Sequence, residues 1–306
     1  MPDATLAPVT QPSAAARRGF ALGLLGVALF ALTLPMTRLA VGDAAAPQLP
    51  PAFVTAGRAA LAGLLSVLYL VAVRAAWPRR PEWPAVVVSA LGTVLGFPLF
   101  LALALREVPA AHAAVVTGVI PLATAVAAAL ALGQRAAPRF WVLAVLGCAL
   151  VLAFAVLEGD GRLVPADGLL LLAVASAAIG YVAGARLAAE RPPEQVICWV
   201  LVISLPLTLP AMVLTLPAGI AAVRAPAWLG FGYVTLFSMW LGFFAWYRGL
   251  ALGGVMRVSQ VQLLQPFLAL LAAVPILGEP LEATTVLFAL AVSAVVFAGR
   301  RVPVRR

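Results

Sequence analysis

The chain has 306 residues, 64% of them hydrophobic and 10% charged, with a mean hydropathy of +1.09. No soluble globular domain needs so much apolar surface, so lipid is the expected solvent. The formal charge of +9 contains no lysine: all 20 basic residues are arginine, which excludes a Walker-type phosphate loop and Schiff-base chemistry with retinal or pyridoxal phosphate. A single histidine, His112, and two cysteines, Cys148 and Cys198, are too few for a bis-His haem, an iron–sulfur cluster or a zinc site. No cofactor or metal is expected, and both cysteines read as buried free thiols.

Runs of about 20 apolar residues cross a bilayer as helices. Ten are expected, at roughly 19–40, 52–74, 84–105, 109–132, 139–157, 167–188, 196–217, 227–248, 255–277 and 281–299. Residues 1–18 form a tail. Its Ala16-Arg17-Arg18-Gly19-Phe20 resembles a twin-arginine export signal, but with nine more spans behind it this is read as the basic flank of the first membrane helix. That helix carries Thr33 and Thr37 around Pro35. The second holds Arg58 a turn or two inside its outer end, placed either to snorkel outward or to act in gating. The third carries Phe97 and Phe100 near its middle. The fourth starts near His112, which would bind a substrate carboxylate, titrate, or sit as a satisfied interfacial histidine; Thr117 and Pro121 lie further along it.

A polar seam, Glu158-Gly159-Asp160-Gly161-Arg162, precedes the sixth span, where Ser176 and Tyr181 bring polar atoms near the middle. The eighth span carries Tyr233, Phe237, Trp240, Phe244 and Tyr247 in steps of 4, 3, 4 and 3, one continuous helical face. Trp240 lies too deep to be an interfacial anchor, and its indole N–H wants a partner. The ninth span carries Ser259, Gln262 and Gln265 along one face just before Pro266. Amides are costly in lipid, so this face should meet protein or a cavity. Residues 300–306 form a basic tail.

The chain matches itself at an offset of 145 residues. Pro121-Leu122 with Gly133 aligns with Pro266-Phe267 with Gly278, and Gly23-Leu24-Leu25 with Gly168-Leu169-Leu170. Each half, 19–157 and 158–299, holds five spans. A duplicated unit with an odd span count inserts its copies upside down relative to each other, which is the architecture of secondary transporters with a midplane site. The expected fold is therefore an all-α polytopic membrane protein, ten transmembrane helices as two inverted five-helix repeats. Mirrored prolines, Pro121 and Pro266, point to that site. Four GxxxG spacings (Gly19/Gly23, Gly92/Gly96, Gly180/Gly184 and Gly249/Gly253) mark the first, third, sixth and eighth helices as closely packed or sliding, with Gly180 and Gly249 as hinge candidates.

Arginines gather on the side of both termini, and only Arg38, Arg106, Arg162 and Arg224 flank spans on the other side. Positive charge marks the cytoplasm, so both termini are expected inside a bacterial inner membrane. The same placement argues against nucleic acid as the source of the charge. No carboxylate falls in the middle of a span, which leans away from a proton relay and from an intramembrane aspartyl protease. The expected protein is not an enzyme. It would move a small molecule through a central cavity lined by Phe97, Phe100, His112, Thr117, Ser176, Tyr181, Trp240, Phe244, Gln262 and Gln265. A drug or nucleotide-sugar-like carrier on the same fold, or a channel, are the alternatives. Oligomeric state is open, with a monomer sufficient.

The stretch Tyr247-Arg248-Gly249-Leu250-Ala251-Leu252, then Gln265-Pro266, then Leu277-Gly278-Glu279-Pro280-Leu281 resembles the second half of an EamA-type carrier of the drug/metabolite transporter superfamily. Ala102-Leu103-Ala104-Leu105, Pro121 and Leu132-Gly133-Gln134 resemble the first half, with Gln134 in place of the usual Glu. The resemblance implies ten helices in two inverted repeats, cytoplasmic termini, export of small metabolites and a structural role for Glu279 at a helix end. Within the family the chain is most similar to YddG-type exporters of aromatic amino acids.

Overall fold

The computed structural model describes residues 14–131, 135–158, 161–188, 190–253, 258–300 and 304–305. Ten apolar helices account for nearly all of them: α1 Ala14–Val41, α2 Pro51–Ala72, α3 Arg80–Glu107, α4 Ala110–Ala131, α5 Pro138–Glu158, α6 Pro165–Ala188, α7 Pro193–Leu214, α8 Ala225–Leu252, α9 Val261–Leu277 and α10 Ala283–Ala298. The first eight are each long and apolar enough to cross a membrane, and the last two are shorter. Helix α1 begins at Ala14, about a turn before the expected start; the tail 1–13 lies outside the described residues, as do Gly133, Gln134 and Arg257. The only strand pairing among the described residues is two residues long, Arg135–Ala136 antiparallel to Val304–Arg305. It brings the chain's end beside the α4–α5 connection.

Proline and glycine explain where these helices are irregular. Pro35 has no N–H to give the preceding turn, and α1 is interrupted at Leu32 between its segments Ala14–Ala31 and Thr33–Val41. Helix α4 is broken at Gly118 and Val119, just ahead of Pro121. In the equivalent place of α9, a 3₁₀ stretch Ser259–Leu264 precedes Pro266. Both mirrored prolines thus sit at mirrored breaks. A second mirrored irregularity had no sequence signal. α3 contains a π-helical turn at Ala90–Gly96, and α8 contains one at Val234–Leu241, the same place after the 145-residue offset.

The packing repeats the same two-fold logic. α2 lies along α7, α4 against α9 and α5 against α10, each pair joining equivalent helices of the two halves. The pair α1–α8 is likewise exchanged with α6–α3. Glycines permit the closest approaches. A Cβ on Gly92 of α3 would lie 2.5 Å from the Ser176 carbonyl oxygen and 2.8 Å from the Gly180 backbone of α6. A Cβ on Gly249 of α8 would lie 2.6 Å from the Gly23 nitrogen of α1. The outward surface is studded with Leu68, Val71, Leu130, Val145, Leu214 and Leu287, matched to hydrocarbon rather than to water. Cys148 belongs to this exposed face of α5, contrary to the expectation of two buried thiols, because residues 141, 145, 148 and 152 share its outward side; Cys198 is buried.

Candidate functional site

A central cavity lies where both halves meet at the proline breaks. Its empty space is about 810 Å³, open solvent included. The walls come from α1 (Phe30, Thr33, Leu34), α3 (Thr93, Phe97, Pro98), α4 (Ala114, Thr117, Gly118, Ile120, Pro121), α6 (Tyr181), α8 (Ser238, Met239, Phe243) and α9 (Gln262, Gln265, Pro266). A seventh helix, α2, contributes one residue, Arg58.

Of the two readings open for Arg58, outward snorkelling or a role in gating, the structure excludes the first. The residue is 3% exposed and its guanidinium faces the cavity wall. Nη2 donates to the Ser238 hydroxyl at 2.9 Å, and that hydroxyl is 2.8 Å from the Thr33 hydroxyl. Nε and Nη1 have no hydrogen-bond partner. Thr93 Oγ1, also on the wall, is unpartnered. Thr117 donates to the Ala113 carbonyl oxygen at 2.7 Å, a bond within its own helix that favours bending just before the break.

The structure brings together five of the ten expected site residues: Phe97, Thr117, Tyr181, Gln262 and Gln265. The other five stand elsewhere. Ser176 lies in the α3–α6 crossing, where its oxygens crowd Gly92 and Gly96. Phe100 packs against the main core. Trp240 and Phe244 form an aromatic cluster facing α2 and α7. Their rings are 5.0 Å apart, Phe244 is 4.9 Å from Tyr69, and the cluster encloses buried Cys198. The Trp240 indole N–H has no hydrogen-bond partner.

Ser238, Met239 and Phe243, not Trp240 and Phe244, are the residues of α8 that face the cavity. The side chain of Ser259, the first member of the α9 polar stripe, lies outside the described residues.

His112 is buried at the far end of the bundle from the termini. Its Nε2 is 2.7 Å from Asp167 Oδ1, the other carboxylate oxygen accepts the Val164 N–H at 2.9 Å, and its ring packs 5.1 Å from that of Phe154. This is the satisfied arrangement among the readings of that residue. At the same end, Gly278 takes a left-handed conformation (φ +71°) at the close of α9. The turn delivers Glu279 to the start of α4, where its carboxylate accepts the N–H groups of Ala110 at 2.8 Å and Ala111 at 2.9 Å. A negative charge on two free N–H groups of a helix start is stabilising.

At the other end, Glu82 and Arg191 pair at 2.8 Å, and Arg191 also donates to the carbonyl oxygens of Ala76 and Trp77. They tie the α2–α3 connection to the α6–α7 connection.

Comparison with known proteins agrees with this geometry. Residues 17–156 and 164–298 are each matched by the EamA-like transporter family, so each match spans one set of five helices. The chain is 44% identical over 283 residues to the uncharacterized transporter YdeK of Bacillus subtilis (strain 168), covering 92% of this chain and 97% of that protein. A solved crystal structure superposes with a TM-score of 0.59 at 21% identity, covering 92% of this chain and 94% of that one, a likeness of fold.

Proposed function

This chain belongs to the EamA-like transporter family, and we propose that it is a bacterial inner-membrane carrier that exports small metabolites, amino acids with aromatic side chains foremost, by alternating access around the central cavity. The observation that carries the reading is the composition of that cavity. Phe30, Phe97, Phe243 and Tyr181 supply apolar and aromatic surface, while Gln262, Gln265 and the Thr33–Ser238–Arg58 cluster supply directed polar groups. A few placed polar groups on an aromatic wall suit an amino acid with a ring. The mirrored breaks beside Pro121 and Pro266 border the same space, so a movement of either half at its break changes the cavity directly. Gly180 and Gly249, at the two close crossings, let those halves slide. The arginine asymmetry supports cytoplasmic termini, which makes the His112 end the outer one.

The test is counterflow in proteoliposomes of the purified protein with radiolabelled phenylalanine or tryptophan. Saturable uptake that accelerates with unlabelled amino acid on the opposite side is expected. Uptake indifferent to trans substrate would mean a pore, and no uptake of any amino acid would remove the substrate assignment.

A further inference from the structure

We propose that Arg58 binds the anionic end of the cargo, and that what the site requires of its cargo is a carboxylate rather than an ammonium group. The inference rests on the carrier reading of the cavity and concerns the charge of what it carries.

An arginine side chain stays charged in proteins, and burying it unpaired is costly unless a partner arrives. Arg58 is 3% exposed, and none of the ion pairs among the described residues includes it. One neutral hydroxyl, that of Ser238, occupies Nη2, while Nε and Nη1 are enclosed and unpartnered in a side chain that lines the cavity. Among the described residues lining that space there is no Asp or Glu; every other polar group there is a hydroxyl or an amide. The cavity is therefore a neutral polar pocket with one positive charge and hydrogen-bond donors to spare.

Simple charge addition ranks the possible cargoes. A monocarboxylate brings the site to zero, a zwitterion leaves one positive charge, and a primary amine leaves two. In a site of low dielectric these differences are large. Charge-assisted bonds from guanidinium to carboxylate are the strong ones, and the planar donor array suits that geometry. An amino acid would enter by its carboxylate, with its ammonium left to the Gln262 and Gln265 carbonyl oxygens.

The experiment uses three ligands that share a benzyl group and differ in charge on the purified full-length protein: phenylacetate, phenylalanine and phenethylamine. Thermal unfolding is followed in a sulfate buffer, with chloride as a separate arm. Phenylacetate is expected to stabilise at least as well as phenylalanine, and phenethylamine not at all. In Arg58→Gln the apparent affinity for phenylacetate should fall by at least about tenfold, and Arg58→Lys should recover part of it. The wild-type ranking decides the matter even if Arg58→Gln fails to fold.

The proposal is overturned if phenethylamine stabilises as well as phenylacetate. It also fails if folded Arg58→Gln keeps its phenylacetate affinity within about twofold, if chloride alone saturates the effect, or if no carboxylate binds. Phenylacetate binding through Arg58 without any exchange of phenylalanine would uphold the proposal and remove the amino-acid reading. Equal phenylalanine exchange by wild type and Arg58→Gln would do the reverse.

Discussion

Gly23 and Gly168 occupy equivalent positions of the two repeats, near the starts of α1 and α6, yet their surroundings are opposite. Gly23 lies in a crossing so close that an added Cβ would overlap the Val258 side chain, and its own backbone excludes any Cβ from Gly249. Gly26, one turn on, lies 3.0 Å in the same sense from the Trp246 backbone. At Gly168 an added Cβ would meet nothing within 4 Å. The end where the termini lie is drawn together by these contacts and by the Glu82–Arg191 pair. The other has a backbone contact of its own, where a Cβ on Gly230 of α8 would lie 2.5 Å from the Met36 carbonyl oxygen of α1, and is further held by His112–Asp167 and by Glu279 on the start of α4.

The largest test of that contrast is a pair of substitutions. Gly249→Leu should cost more than about 3 kcal/mol and abolish folded protein, because the obstacle is backbone and cannot turn away. Gly168→Leu should be tolerated with a normal unfolding midpoint. Similar losses in both would erase the distinction between the two ends.

Next in size is Asp167→Ala, which leaves His112 buried without its partner and should cost about 3 kcal/mol in unfolding experiments. A change too small to measure would show that the pair does not hold the far end.

Between the ends, Gln262→Ala should slow counterflow about tenfold with normal insertion, whereas Trp240→Ala should lower the unfolding midpoint and spare most transport. The opposite pattern would return the substrate face of α8 to Trp240. The smallest effect is expected for Glu279→Ala, about 1 kcal/mol from two uncapped N–H groups, read as a lowered midpoint with transport intact. No change would mean that solvent caps α4 equally well.

Much of the architecture was legible because it depends on local properties of the chain. Span length, the odd count per half, the mirrored prolines and the glycine pairs are all matters of residue type and spacing, and each predicts its consequence without knowledge of a neighbour. The cavity was half legible on the same grounds. Gln262, Gln265, Thr117 and Tyr181 are polar atoms at depths where lipid would not accept them, so they had to meet protein or a cavity. Phe243 and Ser238 were not legible, because a helical period tells which residues share a face of α8 and not which face turns inward.

What the sequence by itself determined is the solvent of this protein, its span count, its duplicated plan and where its helices break. Hydrophobic length and missing backbone donors act wherever they occur. Only the tertiary structure decided which atoms meet across that plan. His112 finds Asp167 55 residues away, Glu279 reaches the start of α4, and Arg58 is left with two buried, unpartnered nitrogens because the helix opposite offers a serine and no acid. A side chain's partner is set by what packs against it, and in an inverted repeat the same position in the two halves can meet entirely different neighbours.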